Sequence, residues 1–175
     1  VEQTGATWSS SQRHKVLFGS DAGKPVAGGI QDDRLYGGGG NDTLDGHEGD
    51  DTLEGGTGDD VLHGGAGFDR YWIGRDGGTD TILDTDGQGR IFLNGTKLEG
   101  TLTRDANDRS LYHYTPDPDL IIRYIGATGM KGNLVIVDPR GDKAKVIIHD
   151  WASEALGLTL SDTPATTVVR PLTLT

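Results

Sequence analysis

Six aspartates, Asp33, Asp42, Asp51, Asp60, Asp69 and Asp80, recur in one stretch of the chain, the first five spaced nine residues apart. Two residues after each of those five stands a large hydrophobe: Leu35, Leu44, Leu53, Leu62 and Tyr71. Carboxylates at one fixed phase, set among glycines, can supply oxygen ligands to a hard cation. Calcium suits such a supply, because it takes about six to eight oxygens at flexible geometry. Magnesium prefers a smaller octahedral shell and keeps its waters. Zinc wants His or Cys, and the repeats offer only His47 and His63, at non-equivalent places.

Cut every nine residues from Gly28, the chain reads GGIQDDRLY, GGGGNDTLD, GHEGDDTLE, GGTGDDVLH and GGAGFDRYW, without a gap to Trp72. A fixed period is read before any single residue. Glycine at the first, second and fourth places lets the backbone take positive φ and turn sharply. Such turns aim carbonyls inward, and the three residues after the sixth-place Asp form a short strand whose middle side chain faces a core. The candidate ligand set is therefore the sixth-place aspartates, the half-turn residues Gly37, Gly39, Gly46, Gly55 and Gly64, and the fifth-place Asn41, Asp50 and Asp59. GSDAGKPVA (residues 19–27) echoes the repeat with Lys24 in the acid's place, and RDGGTDTIL restores the phase after a two-residue shift.

The net charge of −11 belongs to the repeats. Residues 28–84 hold 14 Asp plus Glu against three Arg, and the remainder is balanced at 13 of each sign. That sign argues against nucleic acid as a partner, since phosphate contacts want Lys and Arg. No apolar run reaches membrane-spanning length, and the start lacks the basic-then-apolar pattern of a signal peptide. With Val at position 1, the chain reads as a piece of a longer protein. The absence of cysteine excludes disulfides and thiolate chemistry.

The nonapeptides resemble the repeat-in-toxin (RTX) family, whose pattern is G-G-x-G-x-D-x-U-x with U a large hydrophobe. The resemblance implies an all-β fold, a parallel β-roll with two nonapeptides per coil. Copies starting at 28, 46 and 64 would then share one edge, and those at 37, 55 and about 75 the other, giving about four shared calcium sites. Gln31, His47 and Phe68 depart from the pattern, whereas the copies around Asp42, Asp51 and Asp60 keep their acids. The resemblance further implies a secreted or cell-surface bacterial protein, a type I secretion apparatus as partner, and folding on calcium outside the cell. Each repeat buries about one large side chain, worth roughly 2 kcal/mol, against about 1 to 2 kcal/mol per residue for backbone ordering. Without metal the repeats are expected to be a disordered acidic segment.

The chain divides into a lead-in (1–15), the roll (16–84), a β-rich capping region (85–160) and a tail or linker (161–175). RIFLNGTKL carries an Asn94-Gly95 hairpin signal, and SLYHYT, LIIRYI, NLVIVD and KVIIHDW read as strands. A cap at a solenoid end hides the open sheet edge. DGGTDTI and NGTKL also resemble segments that follow the repeats in secreted RTX enzymes. DTDGQGRI (84–91) begins like an EF-hand loop but has Gly95 where the closing acid belongs, so it reads as a turn leaving the roll. GSDAGKP is not a phosphate loop, and no G-x-S-x-G exists. His113 and His149 are read as structural, Asp117-Pro118 and Asp138-Pro139 as turns, and Trp8, Trp72 and Trp151 as packing residues. The expected function is a non-catalytic, monomeric calcium-binding module of a larger exported protein. The alternatives are an adhesive glycan- or protein-binding module, or the C-terminal part of a hydrolase or toxin.

Overall fold

The computed structural model describes residues 13–74, 78–126, 130–140, 145–152 and 154–164, with backbone alone for 162–164. Trp8, most of the lead-in and the tail from 165 lie outside the described residues. From Val16 the chain winds into a parallel β-solenoid of two sheets. One holds β1 (Val16–Phe18), β3 (Arg34–Gly39), β5 (Thr52–Thr57), β7 (Asp69–Ile73) and β9 (Gly89–Leu93). The other holds β2 (Pro25–Gly29), β4 (Thr43–Glu48), β6 (Val61–Ala66) and β8 (Thr79–Leu83).

Register follows the repeat. Leu35 pairs with Leu53 and Leu53 with Tyr71, and across the roll Leu44 pairs with Leu62. Each such step spans two nonapeptides, as the resemblance implied. After the two-residue shift Tyr71 still meets Ile91, and Leu62 meets Ile82. The eighth-place side chains Leu35, Leu44, Leu53, Leu62, Tyr71, Ile82 and Ile91 are fully buried. Strand alternation sends the seventh- and ninth-place side chains outward, so the interior is a single column of hydrophobes wide.

The second half of the chain covers both upper edges. β10 (Thr96–Leu98) turns back antiparallel on β9 through Asn94 and Gly95, whose φ values of 51° and 77° suit the tight hairpin read from the sequence. β15 (Lys145–Trp151) lies parallel to β8 and joins the other sheet to an antiparallel meander. The meander runs through β14 (Gly132–Val137), β13 (Ile121–Ile125), β12 (Leu111–Tyr114) and β11 (Gly100–Arg104), and β16 (Leu158–Pro164) adds to β11 in parallel. Arg140 ties the two Asp-Pro turns together, donating to Asp117 at 2.6 Å and to the buried Asp138 at 2.7 Å. His113 sits exposed on β12 beside Asp105 at 2.8 Å, and Trp151 is buried. Trp72 packs on the outer face of β7, half-buried and stacked on Phe92.

At the second place of its copy His47 is forced to φ 75°, where Gly38, Gly56 and Gly65 take 104° to 107° at the equivalent positions. A side chain in that region costs about 1 kcal/mol or slightly more. His47→Gly is expected to raise the stability of the calcium-loaded chain by about 1 kcal/mol, a gain of roughly 2–4 °C in the thermal midpoint. An unchanged or lowered midpoint would show that the turn carries no such strain.

Candidate calcium-binding edges

Each half-turn joins the two sheets and stacks on its counterpart two copies away. The sixth-place aspartates lie inside this stack, each no more than 2% exposed from Asp33 to Asp80. One carboxylate oxygen is committed to the backbone of the coil below. Oδ1 of Asp51 accepts the Asp33 amide at 2.6 Å, that of Asp60 the Asp42 amide at 2.8 Å, and that of Asp69 the Asp51 amide at 2.9 Å. Asp80 accepts the Asp60 amide in the same way at 3.2 Å. The other oxygen, Oδ2, is buried with no hydrogen-bond partner in Asp33, Asp42, Asp51, Asp60 and Asp69.

The surroundings of those oxygens are set by the first-place glycines. A Cβ at Gly28 would sit 2.7 Å from Oδ2 of Asp33 and 2.7 Å from the carbonyl oxygen of Gly46, one coil on. At Gly37 it would collide with Oδ2 of Asp42 and the carbonyl of Gly55; at Gly46, with Oδ2 of Asp51 and the carbonyl of Gly64. Gly55 holds the same relation to Oδ2 of Asp60. The first-place glycines are thus required by space. Positive φ belongs to the second and fourth places, as at Gly38 and Gly40, and the first-place residues do not share it. This corrects the expectation that all three glycines serve the turn alike.

The fifth-place residues form a second ladder running the opposite way. Asn41, Asp50 and Asp59 are exposed, and their Oδ1 atoms accept amides from Asp59, Phe68 and Thr79 at 3.0, 2.8 and 2.7 Å. Gly39 lies in β3 opposite Thr57, with Asp21 and Thr57 side chains as its neighbours and no orphaned carboxylate oxygen beside it. Among the described residues no three His, Cys, Asp or Glu side chains converge. A cation at these edges must therefore draw on backbone carbonyls together with single carboxylates, a donor set that fits calcium.

Electrostatics follow from this crowding. Burial pushes Asp51, Asp69 and Asp80 up to about 7, against one amide hydrogen bond each and with help from neighbouring charges, Asp69 and Asp33 in the case of Asp51. Asp60 and Asp84 are raised for the same first reason. Asp84, which the EF-hand echo left in an exit turn, follows Leu83, the strand partner of His63, and accepts the Tyr71 hydroxyl at 2.7 Å. Sequence reasoning missed that contact; the one visible signal was Tyr71, a hydroxyl-bearing ring where the other copies have leucine.

A carboxylate whose folded pKa lies above its unfolded value of about 3.9 stabilises the fold below that value and loses the contribution as pH rises through the folded pKa. The metal-free roll is therefore expected to gain β structure and thermal stability on acidification from pH 7.5 to 5, the reverse of ordinary acid denaturation. Asp108, held at about 2 mainly by its hydrogen bond from Arg123, titrates outside this window. Circular dichroism of the metal-stripped chain across that range tests the sign, and a fall in β signal would contradict it.

Residues 26–53 and 41–71 match a family model described as the RTX calcium-binding nonapeptide repeat, four copies. No curated protein matches the chain. No helix among the described residues is long and apolar enough to cross a membrane. The repeat array of this chain consists of RTX calcium-binding nonapeptide repeats folded as a parallel β-roll.

Proposed function

We propose that the chain is a calcium-triggered folding module of a larger exported bacterial protein, with about four ions held between successive half-turns. The observation that carries this reading is the row of buried, unpartnered Oδ2 atoms. Leaving a buried charge unpaired costs several kcal/mol, so the compact roll without a cation is unfavourable at neutral pH. With calcium the same oxygens become ligands, and binding free energy becomes folding free energy.

The ligand assignment follows the contacts. Asp33 with the carbonyl of Gly46, Asp42 with that of Gly55, and Asp51 with that of Gly64 each present a carboxylate and a carbonyl to one cradle. Asp60, whose unpartnered Oδ2 is buried beside Gly55, supplies the carboxylate of the fourth. Above Asp69 the cradle at Gly64 is entered by the Tyr71 hydroxyl, which closes that edge with Asp84. The lower ends are closed by lysines at the sixth place of their own half-coils. The Lys15 and Lys24 amides donate to Oδ1 of Asp33 and Asp42, as the aspartates' amides do higher up. The Lys15 ammonium reaches the Gly28 carbonyl at 2.6 Å, where a cation would otherwise be needed.

Export in an unfolded state suits the same energetics. In a compartment with little free calcium the acidic repeats stay open, and at the higher concentration outside they fold. A type I secretion channel is the fitting partner, the module acts as a monomer without chemistry of its own, and any catalytic domain belongs to another part of the parent protein.

Titration of the metal-stripped chain with calcium, followed by circular dichroism and heat together, is expected to give a cooperative gain of β signal with about four ions bound and no comparable response to magnesium. Asp51→Asn keeps the amide-accepting oxygen but removes the charge, and is expected to lose one ion and raise the calcium midpoint. A stripped chain that is already folded and indifferent to calcium would sink the proposal.

A separate substitution tests the lysine closure. Lys15→Asp is expected to add one ion to the stoichiometry, because it supplies a carboxylate opposite the Gly28 carbonyl. An unchanged ion count would refute that assignment.

A further inference from the structure

Phe18, Tyr36, Glu54, Trp72 and Phe92 form an in-register ninth-place column on the outer face of the odd-numbered sheet. Phe18 stacks on Tyr36 with ring centroids 5.1 Å apart and an interplanar angle of 12°, and Trp72 on Phe92 at 4.4 Å and 5°. The rings therefore turn their faces along the solenoid axis. At Glu54 the column breaks, and two strand spacings, about 9.5 Å, separate Tyr36 from Trp72. The break is a groove of about 580 Å³ lined by Arg34, Tyr36, Thr52, Glu54, Arg70 and Trp72.

A column serving stability alone would continue its stack through position 54. This one leaves an aromatic face open on each side of a carboxylate. Among the described residues, the side chains of Arg34 and Glu54 make no hydrogen bond or ion pair. Arg34 and Arg70 are the two described arginines of a repeat region whose net charge is −11, and both stand on this groove. The charge of the groove is thus opposite to that of the roll around it.

We propose that this groove binds a carboxylated pyranose unit of a glycan chain. The apolar faces of the ring lie against Tyr36 and Trp72, its hydroxyls meet Glu54 and Thr52, and its carboxylate meets the two guanidinium groups, which favour planar carboxylate recognition. The volume falls in the range of small-ligand sites. A second copy of the chain fits less well, since face-to-face pairing would set the arginines of one copy against those of the other. An aromatic side chain from a protein would fill the stack but leave Glu54 and Arg34 desolvated without partners.

The site is separate from the calcium edges, so the two readings fail independently. The calcium-loaded chain is titrated with hyaluronan and galacturonate oligosaccharides, with cello-oligosaccharides as the neutral comparison, by calorimetry and tryptophan fluorescence. Binding of the carboxylated sugars is expected, weakened at least about tenfold by Trp72→Ala and by the Arg34→Ala/Arg70→Ala pair. Glu54→Phe is expected to fill the groove and abolish binding while the thermal midpoint in calcium holds or rises. Calcium stoichiometry should stay unchanged in all three variants, which shows that the roll is intact. No carboxylated sugar bound at millimolar concentration, neutral sugars bound equally well, or full binding by Glu54→Phe would each overturn the proposal.

Discussion

The roll depends on a carboxylate with one oxygen satisfied and the other not. Oδ1 of each sixth-place aspartate is a strut: it holds the amide of the coil below and so fixes the stacking distance. Oδ2 is a liability of the same geometry, buried by the stacking that Oδ1 secures. A proton relieves it in part, which is why burial drives several of these groups to about 7. A divalent cation, on the proposed assignment, would relieve it fully and would also engage the carbonyl of the next coil. Strut and liability sit on one side chain, so neutralising one gap steadies the amide ladder of its neighbour. Cooperativity along the stack then needs no mechanism beyond nearest-neighbour contact, as expected of a one-dimensional repeat.

A stack held this way must be closed at both ends. At the upper end the two sheets are finished differently. β10 folds back antiparallel on β9, while β15 arrives from far along the chain and pairs parallel with β8. Its alternating burial, with Val146 and Ile148 inward, carries the hydrophobic column of the roll into the meander. At the lower end the closure is electrostatic. Lysines take the acid's place, and the ammonium of one of them meets the carbonyl that a further cation would have engaged. On the proposed assignment, charge at the sixth place would set where the ions stop as well as where they run.

The nonapeptide made the roll legible because every place in it has one physical duty. An invariant Asp33-to-Asp69 series and the leucines two residues on fix period, coil size and core together. The Asn94-Gly95 hairpin was readable from two residues. What the sequence hid was of two kinds. The first-place glycines look like turn residues, but the clash of a Cβ with the neighbouring carboxylate exists only once coils are stacked. The order of strands in the meander, with β15 beside β8 and β16 beside β11, rests on pairings between segments remote in the chain. Local pattern does not carry that information. Phe68 is a mixed case: it interrupts the fifth-place acids, and the structure shows why it is tolerated, with its amide held by Asp50 and its ring facing Arg70 and Arg90.

The same division of duties leaves the seventh and ninth places free. Edges hold the carboxylates and the eighth place holds the core, so the outward positions of both sheets answer to neither. On β4 and β6 they carry Thr43, Asp45, Val61 and His63, with no stacked ring or arginine among these described residues. On the odd-numbered sheet they carry the aromatic column and its arginines. Stability alone gives no reason for two faces of one solenoid to differ so far, since each packs inward on the same hydrophobic column. The proposed glycan groove would account for the asymmetry: aromatic rings and arginines flank Glu54 on one face, whereas the ninth-place acid Asp45 on the other has neither beside it.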